Sequence, residues 1–165
     1  MRGKQMSNQK RIQQSGKTIA DNRNAFHEYF IEQRYTAGIA LTGSEVKSIR
    51  AGRCQLRGSY ARIEDGEAWL YEAHISTYEQ SGVHFNHNPT RKRKLLLRRK
   101  EINEIFGKIM RQGYTFVPLR IFFDNQYVKV EVGIAKGKKQ HDKRHAIAER
   151  DVKRDIDRQM KLRNR

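Results

Sequence analysis

The sequence predicts a small antiparallel β-barrel with added helices, an α+β body carrying a basic extension at each end. Three observations point there. Two stretches, 60–76 and 119–134, alternate apolar and polar residues on either side of turn formers. A third, 102–110, repeats apolar residues at helical spacing. The charge is concentrated outside all three. A chain of 165 residues can form one domain with a modest core, plus extensions.

Residues 1–18 are polar, aperiodic and rich in Gln, Asn, Ser and Gly, which predicts a disordered basic arm. The body is expected over 19–135. It opens with Phe26, Tyr29, Phe30, Ile31 and Tyr35, where β-propensity favours a strand although the alternation is ambiguous. In the segment 37–52, Thr42 and Glu45 have capping-box spacing, and Val46 and Ile49 give a short apolar face. Gly52 closes a helix there, with Lys47 and Arg50 exposed.

Residues 56–76 predict a hairpin. Asp65-Gly66 supplies residues able to take φ > 0 in its turn, and Trp69, Tyr71, Ala73 and Ile75 share one face of the return strand. Turn formers fill 77–90 and predict a long loop. Arg91–Lys100 then holds seven basic residues in ten, broken only by Leu95, Leu96 and Leu97. Whether Lys94–Leu97 is helix or strand stays open at this level. Ile102, Ile105, Phe106, Ile109 and Met110 form the clearest helix, stopped by Gly113, and its stripe reads most simply as core packing.

Leu119, Ile121 and Phe123 alternate, Asp124–Gln126 turns, and Val128, Val130, Val132 and Ile134 alternate back. Pro118 lacks a ladder donor, so it belongs near a strand start or on an edge. Hairpins at both ends with helices between them suggest an OB-like antiparallel barrel.

The formal net charge is +17 and the pI about 10.3. The arm 1–23 and the tail 136–165 together supply +12 of it from under a third of the residues. Basic arms flanking a nearly balanced body point to nucleic acid. The single cysteine, Cys54, excludes an internal disulfide and a cysteine-based zinc site, in keeping with a reducing cytosol. No apolar run approaches 18 residues and the N-terminus lacks an apolar h-region, so a soluble cytoplasmic protein without membrane attachment is expected.

Catalytic and metal signals are weak. His84 and His87 lie three apart in a loop without a third ligand at metal spacing. Gly133–Lys138 resembles a phosphate loop but is one residue short, and Lys139 stands where Ser or Thr belongs. Cys54 beside Arg53 reads as a bystander thiol. No cofactor is implied. What remains is recognition by two basic patches, Arg91–Lys100 and Lys136–Arg144 (KGKKQHDKR), the second too dense in cations to be buried. Composition alone leaves an RNA-cleaving enzyme and a structural ribosomal protein as competing classes.

Longer motifs narrow the choice. HEYFIE at 27–32, AGIALTGSEVKSIRAG at 37–52, DGEAWL at 65–70, PTRKRKLLL at 89–97 and GIAKGKKQHDKR at 133–144 stand in an order that resembles the small protein B (SmpB) family. The resemblance runs from about Ile19 through the tail. It implies an OB-fold-like barrel that binds the tRNA-like domain of transfer-messenger RNA (SsrA RNA). It also implies a role in trans-translation, at stalled ribosomes that lack downstream mRNA. The tail then enters the decoding region and the empty mRNA channel, contacts small-subunit RNA and folds there. Elongation factor Tu and, indirectly, alanyl-tRNA synthetase are the implied further partners, and no catalysis is implied.

Carried over by position, the resemblance puts Asn22, Tyr29, Lys47, Arg50 and Leu96 at the RNA elbow, with Lys94 and Lys136 on its phosphates. It puts Gly137, Lys138, His141, Asp142, Lys143 and Arg144 at the decoding-centre junction and Met160 in the downstream tail. The chain departs from the family pattern at two positions. Thr36 stands where an RNA-contacting acid is common, and Val152 stands where a tail Trp is common, so ring stacking is lost at that site.

Within the tail, Ala148, Val152, Ile156 and Met160 recur every fourth residue, and Glu149/Lys153 and Asp157/Lys161 are acid-before-base pairs. The stripe is narrow, and an isolated helix of this length is marginal in water. A peptide spanning 136–165 is therefore expected to give a coil-like circular dichroism spectrum in dilute buffer. Strong helicity there would contradict a tail that folds only on a partner.

Overall fold

A computed structural model describes residues 16–82, 84, 86–139, 144, 147, 149–154 and 158. The expected arm lies almost wholly outside these residues, as do His141, Asp142, Lys143 and Met160. The body runs β1 (Thr18–Asp21), α1 (Arg23–Glu28), β2 (Tyr29–Ile39), α2 (Gly43–Arg50), β3 (Cys54–Gln55), β4 (Tyr60–Glu64), β5 (Glu67–Tyr71) and β6 (His74–Ile75). A 3-10 turn at Glu79–Ser81 follows, then β7 (Arg93–Leu96), α3 (Arg99–Gln112), β8 (Thr115–Asp124) and β9 (Tyr127–Gly137).

Seven strands form one antiparallel sheet in the order β1-β8-β9-β2-β7-β5-β4, and β3 pairs with β6 beside it. The α+β class and the antiparallel pairing are as expected. The barrel is not closed by hydrogen bonds, because β1 and β4 are its free edges. Ala61 and Ile63 of β4, Ile109 of α3 and Phe116 of β8 line one groove of about 440 Å³, so the helix sits where β4 and β8 fail to pair.

Local chemistry accounts for the main elements. In α2, the Glu45 carboxylate accepts from the Thr42 N–H at 2.8 Å, and Gly52 follows at φ +74°, the left-handed position that ends the helix. In α3, Ile102 and Ile105 are buried and Gly113 stops the helix at φ +64°. Its stripe is only partly core, because Phe106 and Met110 stay exposed. The aromatic segment divides: Phe26 lies in α1, which Asn22 caps at its start, and the strand begins at Tyr29, where the helix ends.

The return strand of the first hairpin also differs from expectation. Ala68 and Leu70 are its buried residues, while Trp69 and Tyr71 face the other way, half-buried. Glu72 takes φ +55°, which breaks the alternation and brings Ala73 and Ile75 back into the core. Pro118 lies inside β8 at a bulge rather than at the strand start, two residues before the stretch that β1 pairs. Lys94 to Leu96 are strand.

The largest departure concerns Arg91–Lys100, which is not one outward basic surface. Arg93 is fully buried and Arg91 half-buried, both turned onto buried Glu45 of α2. Arg91 donates to both carboxylate oxygens, from Nε at 2.8 Å and Nη2 at 2.6 Å. Arg93 Nε donates at 2.8 Å, and its Nη groups reach the carbonyls of Ala73, Arg91 and Pro89. A buried cation is tolerated when its donors are taken up in this way.

Burial pushes the Glu45 carboxyl up. The hydrogen bonds from Arg91, the Thr42 N–H and Arg93, with the Arg93 charge, outweigh that and hold it at about 2, below its ordinary 4.5. A depressed carboxyl stabilises the fold fully above its unfolded value and loses that contribution as pH falls toward the folded one. Urea unfolding of Glu45→Gln is therefore expected to show a loss of about 3–5 kcal/mol at pH 7, with Glu45→Leu/Arg93→Met recovering much of it. Between pH 5 and about 2 the parent chain should lose stability more steeply than Glu45→Gln. Parallel acid profiles would show that this carboxylate does not carry the effect.

Candidate nucleic-acid interface

The expected RNA contacts fall into two groups at opposite ends of β2. Across the sheet, Tyr29 lies opposite Gly137 and Phe30 opposite Lys136, whereas Gly38 lies opposite Leu96. Nine residue-to-residue steps along the strand take Tyr29 to Gly38, roughly 30 Å of chain at about 3.3 Å per step.

At the first end, Asn22 is buried and acts as a positioning group. Its Oδ1 accepts from the Ala25 N–H at 3.3 Å, and its Nδ2 donates to the Pro118 carbonyl at 2.9 Å. This cap starts α1 and fixes it against the bulge of β8. Tyr29 follows, half-buried against the small cluster of Ala25, Val117, Leu119 and Ala135. β9 runs through Gly137, so Lys136 and Gly137 are exposed strand residues.

Lys138 is tethered to α1. Its backbone N–H donates to the Glu28 carbonyl at 2.8 Å, and its Nζ donates to the Phe26 carbonyl at 3.1 Å. The same ammonium lies 4.9 Å from the ring of Phe30, which is 53% exposed, and Lys136 Nζ lies 6.0 Å from the Tyr114 ring. A cation held beside the exposed Phe30 ring suits both phosphate and base contact.

At the second end, Leu96 is 53% exposed. A Cβ at Gly38 would meet the Leu96 Cβ at 3.1 Å, so the missing side chain there lets β2 approach the leucine closely. Lys94 ion-pairs with Glu67, so a phosphate there has to displace a carboxylate. Lys47 and Arg50 are exposed on α2, which the Glu45–Arg91–Arg93 cluster ties to the start of β7. Lys47 Nζ lies 5.4 Å from the Tyr78 ring. Thr36 is exposed on β2 opposite Glu131, which pairs with Arg120 and Arg34.

Arg144, Ile147, residues 149–154 and Arg158 of the tail are helical. Arg144 is exposed, and Ile147 and Val152 are 45% and 59% exposed. His87 is a structural residue: its Nδ1 meets the Ser44 hydroxyl at 2.8 Å and its Nε2 the Ile75 carbonyl at 2.9 Å, joining loop, α2 and β6. Among the described residues no group of three or more His, Cys, Asp or Glu is arranged to hold a metal. No helix among them is long and apolar enough to cross a membrane. Phe30 as an outward ring, and the withdrawal of Arg91 and Arg93, were missed from sequence. Neither has a local signal: Phe30 stands between Tyr29 and Ile31 with Glu28 and Glu32 beyond them, and Arg91 and Arg93 sit in an unbroken basic run.

The SmpB protein family model matches residues 19–162. The chain belongs to the SmpB family. It is 62% identical over 149 residues to the SsrA-binding protein of Roseiflexus sp. (strain RS-1), covering 90% of this chain and 94% of that one. It is 56% identical over 142 residues to the SsrA-binding protein of Desulfitobacterium hafniense (strain DSM 10664 / DCB-2), covering 86% and 90%. Among solved structures, a chain from "tmRNA-SmpB: a journey to the center of the bacterial ribosome" superposes with TM-score 0.61 at 47% identity, over 77% of this chain and 92% of that one. The extent of the match agrees with the long motifs spread along this SmpB-family sequence.

The two ends should respond differently to substitution. Lys136→Ala is expected to reduce the slope of log K against log salt for RNA binding by about 0.9 per lost phosphate contact. Leu96→Ser should weaken binding by a similar factor at every salt concentration. Filter binding from 50 to 300 mM salt separates the two. Equal salt dependence of both variants would contradict a phosphate role at one end and an apolar one at the other.

Proposed function

We propose that this chain binds the tRNA-like domain of transfer-messenger RNA and delivers it to stalled ribosomes that lack downstream mRNA, as a non-enzymatic RNA-binding protein of trans-translation. The observation that carries the reading is the two-ended body of an SmpB-family chain. Leu96, Lys47 and Arg50 lie toward one end of β2, and the exit of the basic tail lies at the other. A rigid sheet strand joins them. Such a body holds RNA at the Leu96 end while the tail is presented at the other, roughly 30 Å along the strand.

The junction Gly137, Lys138, His141, Asp142, Lys143 and Arg144 then sits near small-subunit RNA at the decoding centre. The tail, through Met160, folds in the empty mRNA channel. Counterion release supplies affinity for that anionic channel, and the uncovered Ile147 and Val152 side chains gain a surface. An occupied channel denies the tail both, which makes the tail a sensor of missing mRNA. Lys136 serves the phosphates beside the tail exit, and Asn22 and Tyr29 serve by holding α1 and that exit in place. Elongation factor Tu acts on the same RNA, alanyl-tRNA synthetase is engaged only through it, and the setting is the cytoplasm.

Retrieval of the protein from its own cells, followed by sequencing of bound RNA, should enrich one tRNA-like RNA. Enrichment of bulk ribosomal RNA alone would contradict the proposal. Asp142→Lys combined with Lys143→Ala and Arg144→Ala should leave that RNA bound and abolish peptide tagging on stalled ribosomes. Loss of both activities together would contradict the division between body and tail.

A further inference from the structure

The outward face of β4, β5 and β7 is built in cross-strand rows. Tyr60 is in register with Tyr71, and Arg62 with Trp69, whose other neighbour is Lys94. Alternation sends Ala61, Ala68, Leu70 and Leu95 into the core, so the three aromatic residues stand on the solvent side. The Tyr60 and Tyr71 rings stack with centroids 5.1 Å apart and planes within 5°. Lys92 Nζ lies 4.7 Å from the Trp69 ring centroid and 5.9 Å from that of Tyr71, and the Arg62 guanidinium lies 5.7 Å from that of Tyr60. β4 is an edge strand, and Tyr60 at its start is 40% exposed.

Three aromatic side chains aligned on the solvent face of adjacent strands add little to the core, and cations hold their rings in register. We propose that this face is a stacking platform for unpaired bases of a single-stranded RNA segment. A base lies against the open side of the Tyr60–Tyr71 stack, while Arg62 and Lys92 exchange ring contacts for phosphates. A duplex hides its base faces and cannot use the rings. An acidic peptide would satisfy the cations and leave the rings uncovered. Glu64, which accepts from the Tyr71 hydroxyl at 2.6 Å, and Glu67, paired with Lys94, also temper the charge of this face, so the aromatic contact carries the discrimination. Leu96 follows Lys94 two residues along β7 and shares this face, which makes the platform continuous with one end of the RNA interface. The inference rests on the RNA-binding reading and specifies which RNA chemistry that end takes.

Trp69 is the sole tryptophan of the chain, so its fluorescence reports on the platform directly. Titrating the full chain with a uridine octamer should quench Trp69 emission saturably, and an RNA duplex of the same length should not. Tyr60→Ala should weaken octamer binding about tenfold with unchanged thermal unfolding. Lys92→Ala should reduce the salt slope by about 0.7. Equal quenching by the duplex or by an oligoglutamate peptide would overturn the proposal, as would unchanged octamer affinity in Tyr60→Ala. Failure of the broader RNA-binding reading has a separate signature, because the parent chain would then enrich no tRNA-like RNA from cells.

Discussion

The Glu45 carboxylate is the charge on which the arrangement depends. It lies fully buried at the start of α2 and takes hydrogen bonds from Arg91, Arg93 and the Thr42 N–H. Through Arg93 the contacts extend to the carbonyls of Ala73 and Pro89. One ion cluster therefore joins α2, the chain before β6 and the start of β7, beside the core in which Ile49, Ala73 and Leu95 of the same three pieces are buried. Removing one partner strands an opposite charge in the interior, whereas replacing the set with apolar groups does not. The cluster orients β7, and with it Leu96 and Lys94, against β2.

β2 supplies the second constraint. Its register with β9 places Lys136 and Gly137 at one end, and its short pairing with β7 places Leu96 at the other. Neither end can shift along the strand without sliding the sheet, because a one-residue slip would turn every buried side chain outward. The tethering of Lys138 to the carbonyls of Glu28 and Phe26 extends that rigidity one residue past the last strand. The tail then starts from a fixed point.

Much of the fold was legible in the sequence because it is written locally. The capping of α2 by Thr42 and Glu45, the stop at Gly113 and the two hairpins with their turns at Asp65-Gly66 and Asn125 each rest on neighbouring residues. The failures are non-local. Arg91 and Arg93 look like any basic run until Glu45, more than forty residues earlier, is folded against them. The outward turn of Trp69 and Tyr71 hinges on the single left-handed residue Glu72, which carries no glycine signature. The open edge at β4 depends on where α3 packs, which alternation cannot reveal. Of the interface, the exposed cations were legible by type, and the long motifs identified the family. The separation of the expected contact residues to opposite ends of β2 became visible only through strand register.

The central claim is that the two ends of β2 serve different partners, and short-range photocrosslinking tests it most directly. Cys54 is buried, so a cysteine-directed benzophenone can be placed selectively at Leu96→Cys or at Lys139→Cys, just past the end of β9. On stalled ribosomes, the probe at position 96 should crosslink to the tRNA-like domain and the probe at position 139 to small-subunit RNA. Crosslinking of both probes to the same RNA segment would contradict the account.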